Sequence, residues 1–169
     1  MTNTAIRAKH WVLRHYLWIA CAMMLAAFGA AFLPQFETWQ TRLGVLAFPF
    51  AFLVTTQKQK TEELELFKKL FTEFNDRYDG MNEELNAIMN TPTDEQLSQN
   101  EQSQLFDYFN LCGEEYLLYR QGYIYPEVWN AWCNGMKIFY KNPRIKKLWD
   151  DELKSDSYYG FRGSGTFSN

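Results

Sequence analysis

Apolar residues dominate positions 16–55, with one interruption. The first arm, 16–33, carries no charged side chain, and about 20 apolar residues in a helix are enough to cross a bilayer. The second arm, 43–55, is shorter and spans only if its flanking residues extend it. The pattern predicts a membrane hairpin with spans at about 12–33 and 40–56. A buried core helix or a re-entrant segment is the alternative for the second arm.

Cationic residues flank both outer ends of this hairpin: Arg7, Lys9, Arg14, Lys58 and Lys60. The cytoplasmic flanks of membrane helices are enriched in Lys and Arg. We therefore expect both termini in the cytoplasm and residues 35–41 in a short outside turn. A cleaved signal peptide is the alternative, but the first apolar run is longer than an ordinary signal-peptide core and a second run follows at once.

From residue 57 onwards, apolar side chains recur at steps of three and four residues, which is the period of helices with one buried face. The first stripe continues the second arm and comprises Phe67, Leu70, Phe74, Tyr78, Met81, Leu85 and Ile88. Because its spacing is close to a heptad, it packs either within the domain or against neighbouring subunits.

Polar and proline-containing sequences predict where further helices begin. Thr93 and Gln96 have the spacing of a capping box. Pro126 suits the first turn of the next helix, and Asn142 suits the cap of a short last helix that runs through residue 154.

These patterns together predict an all-α protein with an N-terminal transmembrane helical hairpin and a small cytosolic helical domain. We place the tail and hairpin at 1–56, the cytosolic domain at 57–154 and a flexible tail at 155–169.

Charge divides unevenly between these regions. Residues 1–56 hold four Lys or Arg and one acid, net +3, whereas residues 57–169 hold thirteen basic and nineteen acidic residues, net −6. Duplex nucleic-acid binding depends on neutralising many phosphates, so the acidic domain argues against it. Both histidines, His10 and His15, precede the first arm, which excludes His-based metal sites and His-activated nucleophiles from residues 57–169. We expect no enzyme activity, metal or cofactor.

The main candidate for ligand binding is an acid-free basic run that crosses a helix end, a turn and the next helix start. It comprises Lys137, Lys141, Arg144, Lys146 and Lys147. Cationic side chains and free amides at a helix N-terminus would suit an anionic ligand. The alternative is a solvated face that balances Asp150, Asp151 and Glu152 or lies against anionic lipid.

Aromatic residues gather just before this run: Tyr116, Tyr119, Tyr123, Tyr125, Trp129 and Trp132. They would suit a platform on which a nucleobase stacks, although aromatics at helical spacing more commonly form a core. Arg120 beside them is a further candidate ligand residue. Acid pairs such as Glu114 and Glu115 do not by their spacing indicate catalysis, which needs facing partners and shifted pKa values.

The block YFNLCGEEYLLYRQGYIYPEVWNAWCNGMKIFYKNPRIKKLW, behind a hairpin and a helix that begins TQKQK, resembles a group of small bacterial membrane proteins. Similar proteins accompany CRISPR systems as accessory membrane effectors. In one type the cytosolic domain binds cyclic oligoadenylate, and in another the subunits assemble into a membrane pore. The resemblance covers architecture and assigns no site residue.

The resemblance implies an antiphage effector that forms a homo-oligomer in the lipid bilayer of the bacterial inner membrane. Its cytosolic domain would bind an anionic nucleotide messenger such as cyclic oligoadenylate, and the protein would act on membrane integrity. The alternative is a non-catalytic, membrane-anchored scaffold that binds a protein partner.

Overall fold

A computed structural model describes residues 3–34 and 38–166, which form five α-helices and two short 3-10 helices. The α-helices are α1 (Asn3–Ala30), α2 (Trp39–Asn90), α3 (Gln99–Arg120), α4 (Pro126–Tyr140) and α5 (Pro143–Glu152), and the 3-10 helices are Leu153–Ser155 and Gly163–Gly165. No strand occurs in these two ranges, so the all-α prediction is confirmed. Residues 35–37 of the predicted outside turn and residues 167–169 of the predicted tail lie outside the described residues.

The chain divides into two compact units, Met1–Leu66 and Phe67–Asn169. We call the first the hairpin unit and the second the helical domain. The sequence predicts the boundary between hairpin and domain after residue 56, whereas the two units divide after Leu66. Helix α2 continues unbroken through both positions, as the apolar stripe predicts, and it therefore supplies residues to both units.

Within the hairpin unit, α1 and the first part of α2 run antiparallel. Lys9 Nζ lies 3.0 Å from Glu63 Oε1, and Lys60 Nζ lies 5.1 Å from the ring centroid of Tyr16. Three small side chains are buried in this unit: Ala20 and Ala27 of α1, and Ala31 directly after it. Small residues let two helices approach closely, which is typical of helix pairs in membranes.

Bulky apolar side chains of the hairpin unit are exposed instead. Trp18 is 78% exposed, Leu25 76% and Phe48 68%. Among the described residues, one helix is long and apolar enough to cross a membrane, at Ala8–Ala30. The second span of the hairpin stays a prediction.

The helical domain has a core to which each of its α-helices contributes. The apolar stripe of α2 is confirmed, because Phe74, Leu85 and Ile88 are buried and its other members pack against the core. The largest buried side chains of the later helices are Trp129 and Trp149, which are 1% and 0% exposed. Aromatic residues therefore provide much of the buried area of this small domain.

Local signals set the helix starts in the domain. Ser98 caps α3, since its Oγ accepts a hydrogen bond from Glu101 N at 3.2 Å and its own N–H donates to Glu101 Oε2 at 2.7 Å. The capping box predicted at Thr93 and Gln96 is wrong, because those residues lie in the connection before Ser98. The predicted starts of α4 and α5 are confirmed.

Residues 156–166 form a strap that packs on the helical domain. Tyr158, Phe161 and Thr166 are 4%, 3% and 7% exposed. The sequence predicts a flexible tail at 155–169, whereas in residues 156–166 the side chains of Tyr158 and Phe161 belong to the core.

Candidate functional site

The structure distributes the predicted basic run over two helix ends. Lys137 lies in the last turn of α4 and Lys141 follows it, whereas Arg144, Lys146 and Lys147 lie on α5. Because α4 and α5 are separated by two residues, the five positions belong to one corner of the domain.

Arg144 is a structural residue in this corner. Its side chain is 6% exposed, and its Nη2 lies 3.2 Å from Glu101 Oε1 of α3. Its Nη1 donates to the carbonyl of Ile88 at 3.4 Å. The buried guanidinium thus joins α5 to the end of α2 and the start of α3, so the prediction of Arg144 as a ligand residue has no support from its surroundings.

Lys146 belongs to an exposed ion pair. Its Nζ contacts Asp150 Oδ2, and it lies 4.8 Å from the ring centroid of Tyr140, whose hydroxyl donates to Asp150 Oδ1. One turn on, Lys154 pairs with Asp151. These contacts match the alternative in which part of the basic run balances the acids of α5.

The first turn of α5 has no backbone amide directed at a ligand. Pro143 carries no N–H, and Asn142 Oδ1 accepts from Arg144 N at 3.0 Å and from Ile145 N at 3.5 Å. Lys146 N then donates to the carbonyl of Asn142 at 2.8 Å. The free amides expected for anion binding are thus occupied by the cap, since a side-chain oxygen satisfies the donors that a helix start otherwise leaves open.

Besides Lys146, three lysines of the run lie toward the surface. Lys141 and Lys147 are exposed, and Lys137 is half-buried with its Nζ 3.4 Å from Asn134 Oδ1. This corner therefore retains a smaller positive surface than the sequence predicts.

The aromatic residues before the run are mainly part of the core. Trp129 is buried and stacks on Tyr119 with ring centroids 5.0 Å apart and an interplanar angle of 13°. Trp132 packs between Phe71 and Phe74, with centroid distances of 6.1 and 5.8 Å. These rings pack against other side chains, in agreement with the core alternative, whereas Tyr123 is 39% exposed.

Arg120 contacts the strap. Its Nη1 donates to the carbonyl oxygen of Tyr159 at 3.1 Å, and its guanidinium carbon lies 5.6 Å from the ring centroid of Tyr116. The structure thus assigns Arg120 a main-chain acceptor, which the sequence did not suggest.

The sequence presents Glu115 only as one of an acid pair and does not predict that its carboxyl is buried. It is 6% exposed, and burial raises its pKa from 4.5 to about 8, although the nearby Arg77 guanidinium acts in the opposite direction. Arg77 is itself paired with Glu114, Nη1 to Oε2 at 2.5 Å. A pKa of about 8 keeps the Glu115 carboxyl mostly protonated at neutral pH. Its position three residues after Cys112 and four before Tyr119, on the buried face of α3, was the available signal.

No group of three or more His, Cys, Asp or Glu side chains suited to a metal ion occurs in the part of the chain that the structure describes. Comparison with known proteins found no family model, no curated protein and no solved structure that matches this chain.

Proposed function

We propose that the protein is a non-catalytic adaptor, anchored in the bacterial inner membrane by the hairpin unit, whose helical domain binds a protein partner in the cytoplasm. The observation that carries the anchor is the exposure of bulky apolar side chains around the hairpin, with Trp18, Leu25 and Phe48 each more than two-thirds exposed. Monomeric proteins in water rarely expose such large apolar surfaces.

The dimensions of α1 agree with this anchor. The 23 residues of Ala8–Ala30 extend about 34 Å as a helix, and the hydrocarbon core of a bilayer is about 30 Å thick. Lys9 pairs with Glu63 and Lys60 lies against the Tyr16 ring at the charged end of the hairpin, where the headgroups and the cytoplasmic water would surround these charges.

A binding role for the domain is favoured by how its charged side chains are used. Arg144, Arg77 and Lys146 each pair with an acid of the same domain, and the carboxyl of Glu115 is 6% exposed. Because these groups are engaged or buried within the domain, they favour a role in surface recognition over one in catalysis.

Cysteine labelling tests the anchor and its topology. In a Cys21→Ser background, Gln40→Cys should react with a membrane-impermeant maleimide added outside spheroplasts. Asn130→Cys, an exposed position on α4, should react only after permeabilisation. If both positions react from the same side, the second arm does not cross and the hairpin is wrong. If the protein is released from membranes by alkaline carbonate, the anchor is wrong.

A nucleotide-sensing membrane effector is the second candidate, and the exposed Lys141 and Lys147 favour it. If the protein is such an effector, calorimetric titration of the full chain with cyclic oligoadenylates gives binding that Lys141→Glu with Lys147→Glu abolishes. Lys69→Glu, at an exposed lysine of α2, is the matched control. Absence of heat with every ring size would reject this candidate.

Assembly of several copies belongs to the same candidate. Ala22 and Ala26 lie on an exposed face of α1, and small residues there would allow close contact with α1 of another copy. A monomeric mass in mild detergent at all concentrations would contradict the oligomer.

A further inference from the structure

The strap inserts an aromatic side chain into a pocket of aromatic residues. Phe161 is 3% exposed, and its ring centroid lies 5.6 Å from Tyr116, 6.4 Å from Trp129 and 5.9 Å from Trp149. Tyr116 and Trp129 meet Phe161 edge-on, whereas Trp149 stacks on it. Edge-on and offset stacked arrangements are the favourable ones for aromatic pairs, so the pocket selects an aromatic ring.

The main chain of the strap near Phe161 is held by a hydrogen bond from Arg120. Two residues before Phe161, the carbonyl oxygen of Tyr159 accepts the hydrogen bond from Arg120 Nη1 at 3.1 Å. Glycine suits the intervening position, because Gly160 has φ +80°, which other residues rarely adopt, and a Cβ there would lie 3.0 Å from the same Arg120 nitrogen. The pocket and Arg120 together recognise a peptide: one aromatic side chain and one backbone carbonyl at a fixed spacing.

The strap includes one residue with an unfavourable backbone conformation. Tyr159 has φ +53°, a left-handed conformation that is rare for a bulky residue. Several of its hydrogen bonds close turns within the strap itself, such as Phe161 N to Tyr158 O at 2.8 Å and Arg162 N to Thr166 Oγ1 at 2.8 Å. Such bonds stay intact when the strap leaves as a unit. Release breaks side-chain bonds to the rest of the domain, including Arg120 Nη1 to the carbonyl oxygen of Tyr159 at 3.1 Å and the Tyr158 hydroxyl to Glu152 Oε2 at 3.2 Å.

We propose that residues 156–166 are a removable strap over an aromatic peptide-binding pocket, and that the partner of the domain is a peptide segment whose aromatic side chain replaces Phe161. This inference rests on the proposed adaptor function and names the chemistry of its partner. In the closed state the strap acts as an intramolecular ligand and keeps the pocket filled until a competing segment enters.

A peptide with the sequence of the strap, DSYYGFRGSGT, is the probe. It is labelled with a fluorophore and titrated by anisotropy into the detergent-purified full chain. The Phe161→Ala chain, whose pocket lacks its own ring, should bind the peptide at least tenfold more tightly than the wild-type chain. The same peptide with alanine in place of phenylalanine should not bind. A folded Phe161→Ala chain that does not bind the peptide would overturn the proposal, as would binding of an adenine oligonucleotide in place of the peptide.

A disulfide that ties the strap to α3 supplies the control for strap release. A Cβ built on Gly113 of α3 lies 3.4 Å from Cβ of Tyr158, close to the separation of about 3.5–4.5 Å in disulfides. Gly113→Cys with Tyr158→Cys, in a Cys112→Ala background, should bind added peptide only in the reduced state. Equal peptide binding in the oxidised and reduced states would contradict a removable strap.

Hydrogen exchange tests the strap without emptying the pocket. In the wild-type chain the strap amides should exchange at least tenfold faster than the core amides of α3. Tyr159→Gly, which removes the side chain that the left-handed backbone disfavours, should slow strap exchange and leave α3 unchanged. Strap amides protected as strongly as those of α3 would show that the segment opens only with the whole domain. These measurements do not depend on membrane topology, so their failure would leave the anchor untouched.

Discussion

The hairpin unit and the helical domain bury opposite kinds of side chain. In the hairpin, Ala20 is 2% exposed and Trp18 78%, whereas in the domain Trp149 is fully buried and Lys141 lies at the surface. A domain in water is stabilised by removing large apolar side chains from the solvent. Helices in lipid gain nothing from this and pack closely through small residues instead. This contrast supports the proposal that the hairpin unit is a membrane anchor and the helical domain lies in water.

A pair of tryptophan substitutions should separate the two units most clearly. Trp149→Ala leaves a cavity in the core and should reduce the free energy of unfolding of the domain by about 3–5 kcal/mol. Trp18→Ala, on the exposed face of α1, should leave that value unchanged. Denaturant unfolding in mild detergent, followed by circular dichroism, measures both. Equal losses from the two variants would show that the hairpin also buries its bulky residues.

A charge on the outer face of the hairpin should oppose membrane insertion. Leu25 is 76% exposed and lies near the middle of the uncharged run 16–33. Leu25→Arg should disfavour insertion by about 3 kcal/mol, because an arginine in the hydrocarbon region is costly. The fraction of protein retained after carbonate extraction should fall, while Leu25→Ala should behave as the wild type. Full retention of Leu25→Arg would argue that this face does not meet lipid.

Glu115 is the exception inside the domain, a carboxyl among large apolar side chains. Its pKa is raised to about 8 in the folded state and is near 4.5 in the unfolded state, so the folded state binds a proton more tightly. Stability should therefore fall as the pH rises from about 4.5 to 8 and level off above it, with a loss of about 3 kcal/mol by pH 7.

Unfolding of wild type and Glu115→Gln at pH 5, 7 and 9 measures this dependence. Glu115→Gln carries no titrating group and should lack this part of the pH profile. Glu84→Gln, at an exposed carboxylate of α2, should retain it. The same slope in all three proteins would assign the pH dependence to other groups.

The smallest effect concerns the start of α3. Ser98→Ala removes the side-chain acceptor for Glu101 N and should cost about 1 kcal/mol of unfolding free energy. Thr93→Ala should cost little, because Thr93 caps no helix. Thermal unfolding of the two variants compares them directly, and a larger loss from Thr93→Ala would reverse the assignment of the cap.

Helix positions could be predicted from the sequence more fully than the candidate site. Pro126 and Asn142 influence the helix start through groups within three residues of themselves, so their roles can be predicted from the local sequence. Arg144 could not be interpreted in the same way, because its partner Glu101 is 43 residues away. Five neighbouring cations therefore resembled a binding site, although two of them already have acidic partners in the fold.

The sequence by itself determined the all-α class, the order of the helices and the apolar character of the hairpin, since periodicity, run length and capping residues are properties of short segments. Only the tertiary structure decided that Arg144 is buried against Glu101, that Glu115 enters the core and that Phe161 returns to an aromatic pocket. These outcomes depend on which distant residues come together, because the protonation of a carboxyl, the availability of a cation and the exposure of a ring are all set by burial.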